Sequence, residues 1–333
     1  MKKIFLFLAA AVILFFLWYQ HGLLATGDEM KQVTVTVEKG MGVAAIAAKL
    51  HDADMIRSPR AFSLYNRWHG TQTLLKAGAY KLDGSMDVPG IVELMTNGDS
   101  QQTRVTIPEG FTVKDIDALL VRENLIQPGA FTECAQRCDV SQFAFLPSRT
   151  DLAARGGKVE GYLYPDTYFV NPAEFEPKAF LERLLTEFDA RVVTALKDDI
   201  AASGHSLHDA VTMASLVEEE AKGEEERKVV AGILWSRIEQ GIGLYVDATT
   251  RYIVEKPTAA LTTTDLAVSS PYNTRQNGGL PPGPIASPSI QSIQATLHPT
   301  DSEYLYYLHD GNGQIHYAKT NDEHNLNKER YLH

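Results

Sequence analysis

The chain has 333 residues, of which 44% are apolar and 22% charged, as in a globular protein of two or three domains. Its formal net charge of −11 disfavours nucleic acid as a partner and peripheral binding to anionic lipid, because both reward basic surfaces.

The first residues predict a membrane anchor. Met1–Lys3 precede an uncharged apolar run, and a span of residues 4–24 is long enough to cross a bilayer. Trp18 and Tyr19 suit the outer interface, and the two lysines favour a cytoplasmic N-terminus. A cleaved signal peptide is the alternative, but Leu23 is too large for position −3 of a cleavage site after Ala25.

We therefore expect a cytoplasmic tail (1–3), a single-pass anchor in the inner (cytoplasmic) membrane (4–24) and a linker (25–32). Everything after the anchor would then lie outside the cytoplasm.

An internal repeat follows the linker. Residues 35–40 align with residues 105–110, seventy positions later, and the apolar register continues to Ile56 and Ile126. After a slip of one residue, residues 61–62 align with residues 130–131. Each copy predicts a short strand, a glycine turn, an amphipathic helix and a loop. Between the copies, residues 76–82 predict a strand and residues 88–95 a helix. This small mixed α/β unit is either a spacer or a ligand-binding module.

The two cysteines, Cys134 and Cys138, are spaced i, i+4. In an oxidising compartment they could pair, since one helical turn brings their Cα atoms within reach of a disulfide. Two unpaired thiols on one helix face are the alternative. No His or Cys cluster accompanies them in the sequence, so we do not expect a metal site.

The second half of the chain predicts helices, then a long loop, then a hairpin. The helices cover residues 177–197, 207–221 and 224–240. Residues 268–289 are rich in Gly, Pro, Ser and Asn and predict an ordered site loop. Residues 304–308 and 314–317 flank Asp310–Gly313, which is a hairpin signal.

Glu220 is the most informative residue of the helical segment. At about 100° per residue, Met213, Leu216 and Val217 share one apolar stripe, and Glu220 falls near its centre. Glu218 points roughly the other way, and Glu219 lies on a flank. A carboxyl group on an apolar face, near the negative end of the helix dipole, has a raised pKa, as a general acid needs. The alternative is an acidic helix end that frays into solvent.

Together these features resemble the endolytic murein transglycosylases, the YceG-like family of membrane-anchored peptidoglycan lyases. The motifs that carry the resemblance occur in the family's order between residues 160 and 325. They are Glu160–Tyr168 (EGYLYPDTY), Met213–Glu220 (MASLVEEE), Leu244–Thr249 (LYVDAT), Ser270–Thr274 (SPYNT), Gly279–Ile285 (GLPPGPI) and Glu323–Asn325 (EHN). The chain departs from the family pattern at Tyr245, Ala248 and Arg275.

The resemblance implies an α+β fold after the transmembrane helix. A small LysM-like α/β domain (33–103) would precede a mixed α/β catalytic domain (104–333) with a helical centre and a C-terminal β-hairpin. Glu220 would act as the catalytic general acid and then as the base. The implied substrate-binding residues are Glu160, Tyr164, Asp166, Thr167, Tyr245, Asp247, Tyr272, Asn273, Thr274, His324 and Asn325. For Asp166 and Asp247, turn or cap chemistry is an equal alternative.

The implied reaction cleaves the MurNAc–GlcNAc β-1,4 bond within peptidoglycan glycan strands and leaves 1,6-anhydroMurNAc ends. It needs no metal or organic cofactor. The family also implies partners among the peptidoglycan synthases or the elongation and division machinery, and a role in terminating strand elongation. Three alternatives remain open: a non-catalytic wall-binding protein, a PLP-dependent lyase of aminodeoxychorismate, and a hydrolytic lysozyme.

Overall fold

The computed structural model describes residues 2–27, 32–38, 40–97, 103–147 and 157–332, with the backbone alone for residues 2–10. The chain forms two compact units. Unit 1 comprises Met1–Val105 and Tyr168–Phe175, and unit 2 comprises Thr106–Thr167 and Glu176–His333. The division after Val105 lies beside the predicted domain boundary, but residues 168–175, which were expected in the catalytic domain, belong to unit 1.

Unit 1 is a mixed α/β unit. Strands β1 and β2 pair antiparallel, from Gln32 opposite Asp83 to Val37 opposite Gly78. Their inner side chains and the helices enclose an apolar core that includes Ile46, Phe62 and Tyr80. The elements are α1 (Lys2–Leu23), β1 (Gln32–Val37), α2 (Val43–Asp52), α3 (Pro59–His69), β2 (Gly78–Asp83) and α4 (Val88–Asn97).

Helix α1 covers most of the predicted anchor. Among the residues that the structure describes, no helix is long and apolar enough to cross a bilayer. The side chains of residues 1–10, which belong to the predicted tail and span, lie outside that description, as do residues 28–31 of the predicted linker. The anchor therefore stays a prediction.

The internal repeat is structural. The first copy is β1, α2 and α3; the second is β3 (Thr103–Thr106), α5 (Val113–Arg122) and α6 (Ala130–Arg137). The two copies share even their left-handed residues, Gly40 with Gly110 and Asp54 with Asn124. The expected loop after each first helix is a second helix, because Phe62 and Phe131 anchor it in the core.

The two cysteines form a disulfide at the end of α6, with their Cα atoms 4.7 Å apart. This Cα–Cα distance is shorter than that between residues i and i+4 within a helix, because α6 ends at Arg137 and Cys138 takes an extended backbone. The pairing that the spacing left open is thus confirmed.

Unit 2 has a helical centre. Strand β4 (Thr167–Val170) pairs with β3. The single helix expected over residues 177–197 is divided in the structure. The α-helix that begins at Pro177 ends at Phe188, a π-helical turn covers Asp189–Thr194, and a new α-helix begins at Lys197. The remaining helices are α7 (Pro177–Phe188), α8 (Lys197–Ser203), α9 (Leu207–Glu220), α10 (Glu224–Glu239), α11 (Asp247–Val254), α12 (Thr263–Leu266), α13 (Ile290–Leu297) and α14 (Asn321–Tyr331).

The predicted hairpin is present as β5 (Tyr306–His309) and β6 (Ile315–Ala318). Its register pairs Tyr307 with Tyr317 and His309 with Ile315. Tyr307 and Ile315 pack against the core formed by α9, α10 and α11. The α+β class is therefore confirmed for the described residues, and the likeness of unit 1 to LysM stays a prediction.

Candidate active site

Glu220 is the last residue of α9. The helix begins at a Ser206 cap, whose hydroxyl accepts from the Asp209 N–H, and ends because Ala221 takes an extended backbone. The predicted apolar stripe is real, since Met213, Leu216 and Val217 are fully buried. Glu220 continues that stripe into a half-buried position, enclosed by protein but still accessible to solvent.

Two neutral donors hold the Glu220 carboxyl group. The Tyr307 hydroxyl donates to Oε2 at 3.0 Å, and the backbone N–H of Ala248 also donates. Ala248 is the second residue of α11, so the carboxyl group faces the positive end of that helix. The hairpin and two helix ends thus meet at one carboxyl group.

The pKa of Glu220 is raised, first by its burial. The Tyr307 hydrogen bond, the charge of His309 and the Ala248 N–H oppose this rise, while the charge of Asp247 adds to it. Burial wins. Tyr307 keeps its proton, because its own pKa is raised well above the usual value by burial and by Glu220.

The other two glutamates differ from the expectation in detail. Glu218 does point away from Glu220, but it is not in solvent: its side chain is 8% exposed and pairs with Arg227 at 3.2 Å. The other Glu218 oxygen accepts from the Ser289 N–H at 2.9 Å and from the Ser289 hydroxyl. The helix end therefore does not fray, and Glu218 fastens α9 to the start of α13.

Glu219 lies in the wall of a separate cavity of about 910 Å³. Burial first, and then the charges of Glu218 and Glu220, raise its pKa to about 7. The residue as a whole is nevertheless exposed, so solvent screens part of this effect. Glu160 and Ala248 also line the cavity.

An aromatic and cationic surface lies beside Glu220. Arg237 lies 5.6 Å from the Tyr245 ring centre and 5.2 Å from that of Tyr306, and Arg275 lies 5.9 Å from that of Tyr245. Tyr245 is 52% exposed and has a positive φ of 56°. A non-glycine residue held in this conformation is common at binding sites.

Asp247 forms an ion pair with Arg275. It is the first residue of α11, so its charge also suits the helix N-terminus. His324 stacks on Tyr306 with ring centres 5.3 Å apart, and its Nδ1 is buried without a hydrogen-bond partner. Asn325 is exposed on α14. Of the predicted substrate residues, the structure thus brings Tyr245, Asp247 and His324 to the surface that adjoins Glu220.

The site loop is ordered by the residues that were expected to bind sugar. Asn273 is fully buried and donates to the Leu266 and Val268 carbonyls at 3.0 and 2.8 Å. Thr274 accepts from the Val246 N–H at 3.1 Å, just before α11. Tyr272 is buried against the core. These contacts fit a supporting role, and a direct sugar contact for them stays a prediction.

The motif around Glu160 also has structural contacts. Glu160 accepts from the Val113 N–H at 2.9 Å and from the Tyr252 hydroxyl at 3.2 Å. Thr167 shares a hydrogen bond with Thr106, and Asp166 accepts from the Thr167 N–H. Tyr164 is half-buried, and burial raises its pKa. None of these contacts involves Glu220, and the substrate roles of these residues remain predictions.

Close backbone contact explains a glycine in this motif. Gly161 has a φ of 82°, and a Cβ there would lie 2.2 Å from the Cβ of Pro284. The motifs at residues 160–168 and 279–285, which are far apart in sequence, are therefore in direct contact. Only glycine fits at position 161.

Sequence reasoning missed Tyr307, Arg237 and the His309–Glu226 pair, in which the two side chains lie 2.7 Å apart. The alternation along β5 could have placed Tyr307 and His309 on one face. Nothing in the sequence indicates that this face meets Glu220, which is 87 positions away. In the part of the chain that the structure describes, no group of three or more His, Cys, Asp or Glu could hold a metal.

Comparison with known proteins identifies the family. The sequence profile of the YceG-like family matches residues 35–330. A Bacillus subtilis (strain 168) protein named endolytic murein transglycosylase is 32% identical over 312 residues, which cover 92% of this chain and 86% of that protein. A protein of the same name from Streptococcus pneumoniae serotype 2 (strain D39 / NCTC 7466) is 28% identical over 326 residues, and this chain spans 58% of its length.

A crystal structure of a YceG-like protein from Listeria monocytogenes superimposes with a TM-score of 0.63 at 28% sequence identity. The superposition covers 89% of this chain and 98% of the Listeria chain. The fold and the helical site around Glu220 thus define an α+β protein of a shared architecture. The chain belongs to the YceG-like family, as the ordered motifs predicted.

Proposed function

We propose that this protein is a lytic transglycosylase of peptidoglycan, with Glu220 as its general acid and base. The observation that carries the proposal is the setting of Glu220, whose pKa is raised by burial while two neutral donors hold its carboxyl group. The relatives' name, endolytic murein transglycosylase, supplies the substrate class.

The proposed reaction balances with one carboxyl group. Protonated Glu220 gives its proton to the oxygen that links MurNAc to GlcNAc, and the bond from that oxygen to the MurNAc anomeric carbon breaks. The 6-hydroxyl of the same MurNAc bonds to the anomeric carbon and gives its proton to the Glu220 carboxylate. The acid is thereby regenerated, and a 1,6-anhydro ring replaces the reducing end. The tethered nucleophile makes a water molecule unnecessary.

The surroundings of Glu220 support a single-acid mechanism. Retaining and inverting glycosidases use two carboxyl groups, one of which attacks the sugar or activates water. Asp247, whose charge reaches Glu220, is engaged by Arg275. The exposed Tyr245 ring offers a flat apolar face on which a sugar ring can lie.

The remaining parts of the proposal rest on the family and on the N-terminal sequence. We propose that α1 anchors the chain in the cytoplasmic membrane with its N-terminus inside, and that unit 1 is a LysM-like module outside the cytoplasm. Cutting within strands, and recruitment by peptidoglycan synthases or by the elongation or division machinery, follow from the family resemblance.

The test is digestion of intact sacculi in ¹⁸O-water, followed by mass spectrometry of the products. We expect anhydro-muropeptides that are unlabelled and lighter by one water, and none from Glu220→Gln. Reducing ends that carry ¹⁸O would make the protein a hydrolase. Sacculus binding without any cleavage by the native chain would favour a wall-binding protein, and the absorbance of bound PLP would favour the aminodeoxychorismate lyase.

A further inference from the structure

Unit 1 contains a basic segment in an otherwise acidic chain. Between Met55 and Leu82 there is no Asp or Glu, whereas the chain as a whole carries a net charge of −11. This segment covers α3, the turn that follows it and most of β2. Its cationic residues are Arg57, Arg60, Arg67, Lys76 and Lys81. A local excess of cations in an acidic protein indicates an anionic partner for that surface.

Helix α3 packs along the end of α1. The Trp68 ring lies 4.9 Å from that of Tyr19 and 6.5 Å from that of Phe15. At the other end of α3, Gly22 approaches so closely that a Cβ there would lie 2.6 Å from the Cβ of Ala61. The two helices therefore run antiparallel: residue 15 of α1 lies near residue 68 of α3, and residue 22 of α1 lies near residue 61 of α3. The C-terminal end of α3 therefore points back along the apolar helix.

We define the α3 tip as residues 67–76, the last turn of α3 and the turn after it. It exposes two large apolar side chains, Trp68 at 60% and Leu74 at 55%. Arg67 and Lys76 bracket them. Exposed tryptophan and leucine between basic residues are typical of segments that lie in the interfacial layer of a membrane.

Resting on the proposed anchor, we infer that the α3 tip is seated in the headgroup layer of an anionic phospholipid bilayer. Depth is the deciding argument. Phe15 lies inside the predicted span, and Trp18 and Tyr19 lie at its outer interface, so a side chain that contacts both Phe15 and Tyr19 must lie at interface depth. Trp68 is that side chain, and the bilayer is therefore the occupant. Unit 1 is held against the membrane surface instead of standing off on a flexible spacer.

The three tryptophans of the chain, Trp18, Trp68 and Trp235, permit a direct test. Trp235 is 8% exposed in unit 2 and serves as the matched control. Full-length chains that keep one tryptophan each, with Phe at the other two positions, are placed in phosphatidylcholine–phosphatidylglycerol nanodiscs. The lipids carry bromine near the top of the acyl chain, which quenches nearby tryptophan fluorescence. Near-UV circular dichroism and sacculus digestion check that each chain is folded.

We expect Trp18 and Trp68 to be quenched to a similar extent and Trp235 to be unaffected. Reversing the tip charges with Arg67→Glu and Lys76→Glu should weaken quenching of Trp68 and leave that of Trp18 unchanged. Quenching of Trp18 alone would overturn the inference and leave the anchor standing. Chains that fail to enter nanodiscs would overturn the anchor and this inference together, whereas the sacculus digestion tests the proposed chemistry separately.

A second measurement keeps the inference testable if a tryptophan variant does not fold. Both native cysteines are in a disulfide, so a cysteine introduced at exposed Thr73 can be spin-labelled alone. In nanodiscs its label should be more accessible to oxygen than to a water-soluble nickel chelate. The control label at Thr194, exposed in unit 2, should show the reverse. Equal nickel accessibility at the two positions would overturn the inference.

Discussion

The last turn of α9 presents two glutamates, Glu218 and Glu220, to two different surroundings. Glu218 meets a guanidinium, Arg227, together with an amide and a hydroxyl of Ser289. Glu220 meets a phenol and a backbone N–H, with no cation among the atoms that bond it in the described structure. Arg227 pairs with the first carboxylate, which fastens α9, whereas burial without a cationic partner raises the pKa of the second.

The largest effect should come from Glu220→Gln. The amide keeps the shape but can neither give nor take a proton, so anhydro-muropeptide release should fall by at least about 10²–10⁴-fold. The measurement is product release from sacculi by mass spectrometry, with circular dichroism to show that the fold is intact. Glu219→Gln is the matched control on the same turn and should retain most activity. If the two phenotypes were exchanged, the acid would be the cavity carboxylate, and the site would have to be reassigned.

Glu218→Gln should act on stability instead of chemistry. Removing one partner of a mostly buried ion pair leaves Arg227 without its counter-charge, and we expect a loss of about 3 kcal/mol in the free energy of unfolding. Activity per folded molecule should persist. Urea unfolding of Glu218→Gln, Arg227→Met and the double variant gives the coupling energy. Additive losses would mean that the pair does not couple, and a catalytic loss without destabilisation would contradict the contrast between the two glutamates.

Tyr307→Phe should have an intermediate effect. The Tyr307 hydroxyl lowers the pKa of Glu220, so its removal raises that pKa and moves the alkaline limb of the pH–rate profile to higher pH. Loss of one hydrogen bond to the carboxyl group that we propose as the acid should cost about tenfold in kcat. Tyr317→Phe, the neighbour of Tyr307 in the hairpin register, is the control. An unshifted alkaline limb would show that Tyr307 only fills space.

The sequence predicted local structure where local rules decide it. The repeat, the helices around Glu220 and the hairpin each follow from periodicity and turn residues within short stretches of the sequence. Helical periodicity also placed Glu220 correctly on the apolar stripe of α9, because the position of a residue on a helix does not depend on the rest of the fold. It could not show that the opposite face is buried too, so Glu218 was expected to point away from the site without its partner Arg227 being foreseen.

The rest of the site depends on contacts across long separations. Asn273 and Glu160 carry motif positions that suit sugar binding, yet in the structure their polar atoms bond to backbone groups and to tyrosine. A buried amide and a ligand-binding amide look the same in a sequence. Tyr307 was missed for the converse reason, since only the tertiary fold brings β5 to the end of α9.

The smallest expected effect is that of Glu219→Gln on stability, and it depends on pH. The folded-state pKa of Glu219 is raised from 4.5 to about 7. Below the unfolded value the group is protonated in both states and contributes no difference. As the pH rises, the unfolded chain loses the proton first, so ionisation opposes folding, and the full penalty is present above the folded value. Gln carries no such penalty.

Glu219→Gln should therefore be close to neutral near pH 4 and stabilising near pH 8, by no more than about 1 kcal/mol because the residue is exposed and solvent screens its charge. Urea unfolding of the native and variant chains at both pH values measures the difference. Glu220 also has a raised pKa, but we expect Glu220→Gln to abolish the proposed reaction, so the two variants separate a carboxylate that only lowers stability from one that is proposed to act as the acid. A stabilisation that is equal at both pH values would show that the ionisation of Glu219 is not its cause. It would point instead to new packing of the amide against Gly110, where an added Cβ would lie 2.9 Å from Glu219 Oε1.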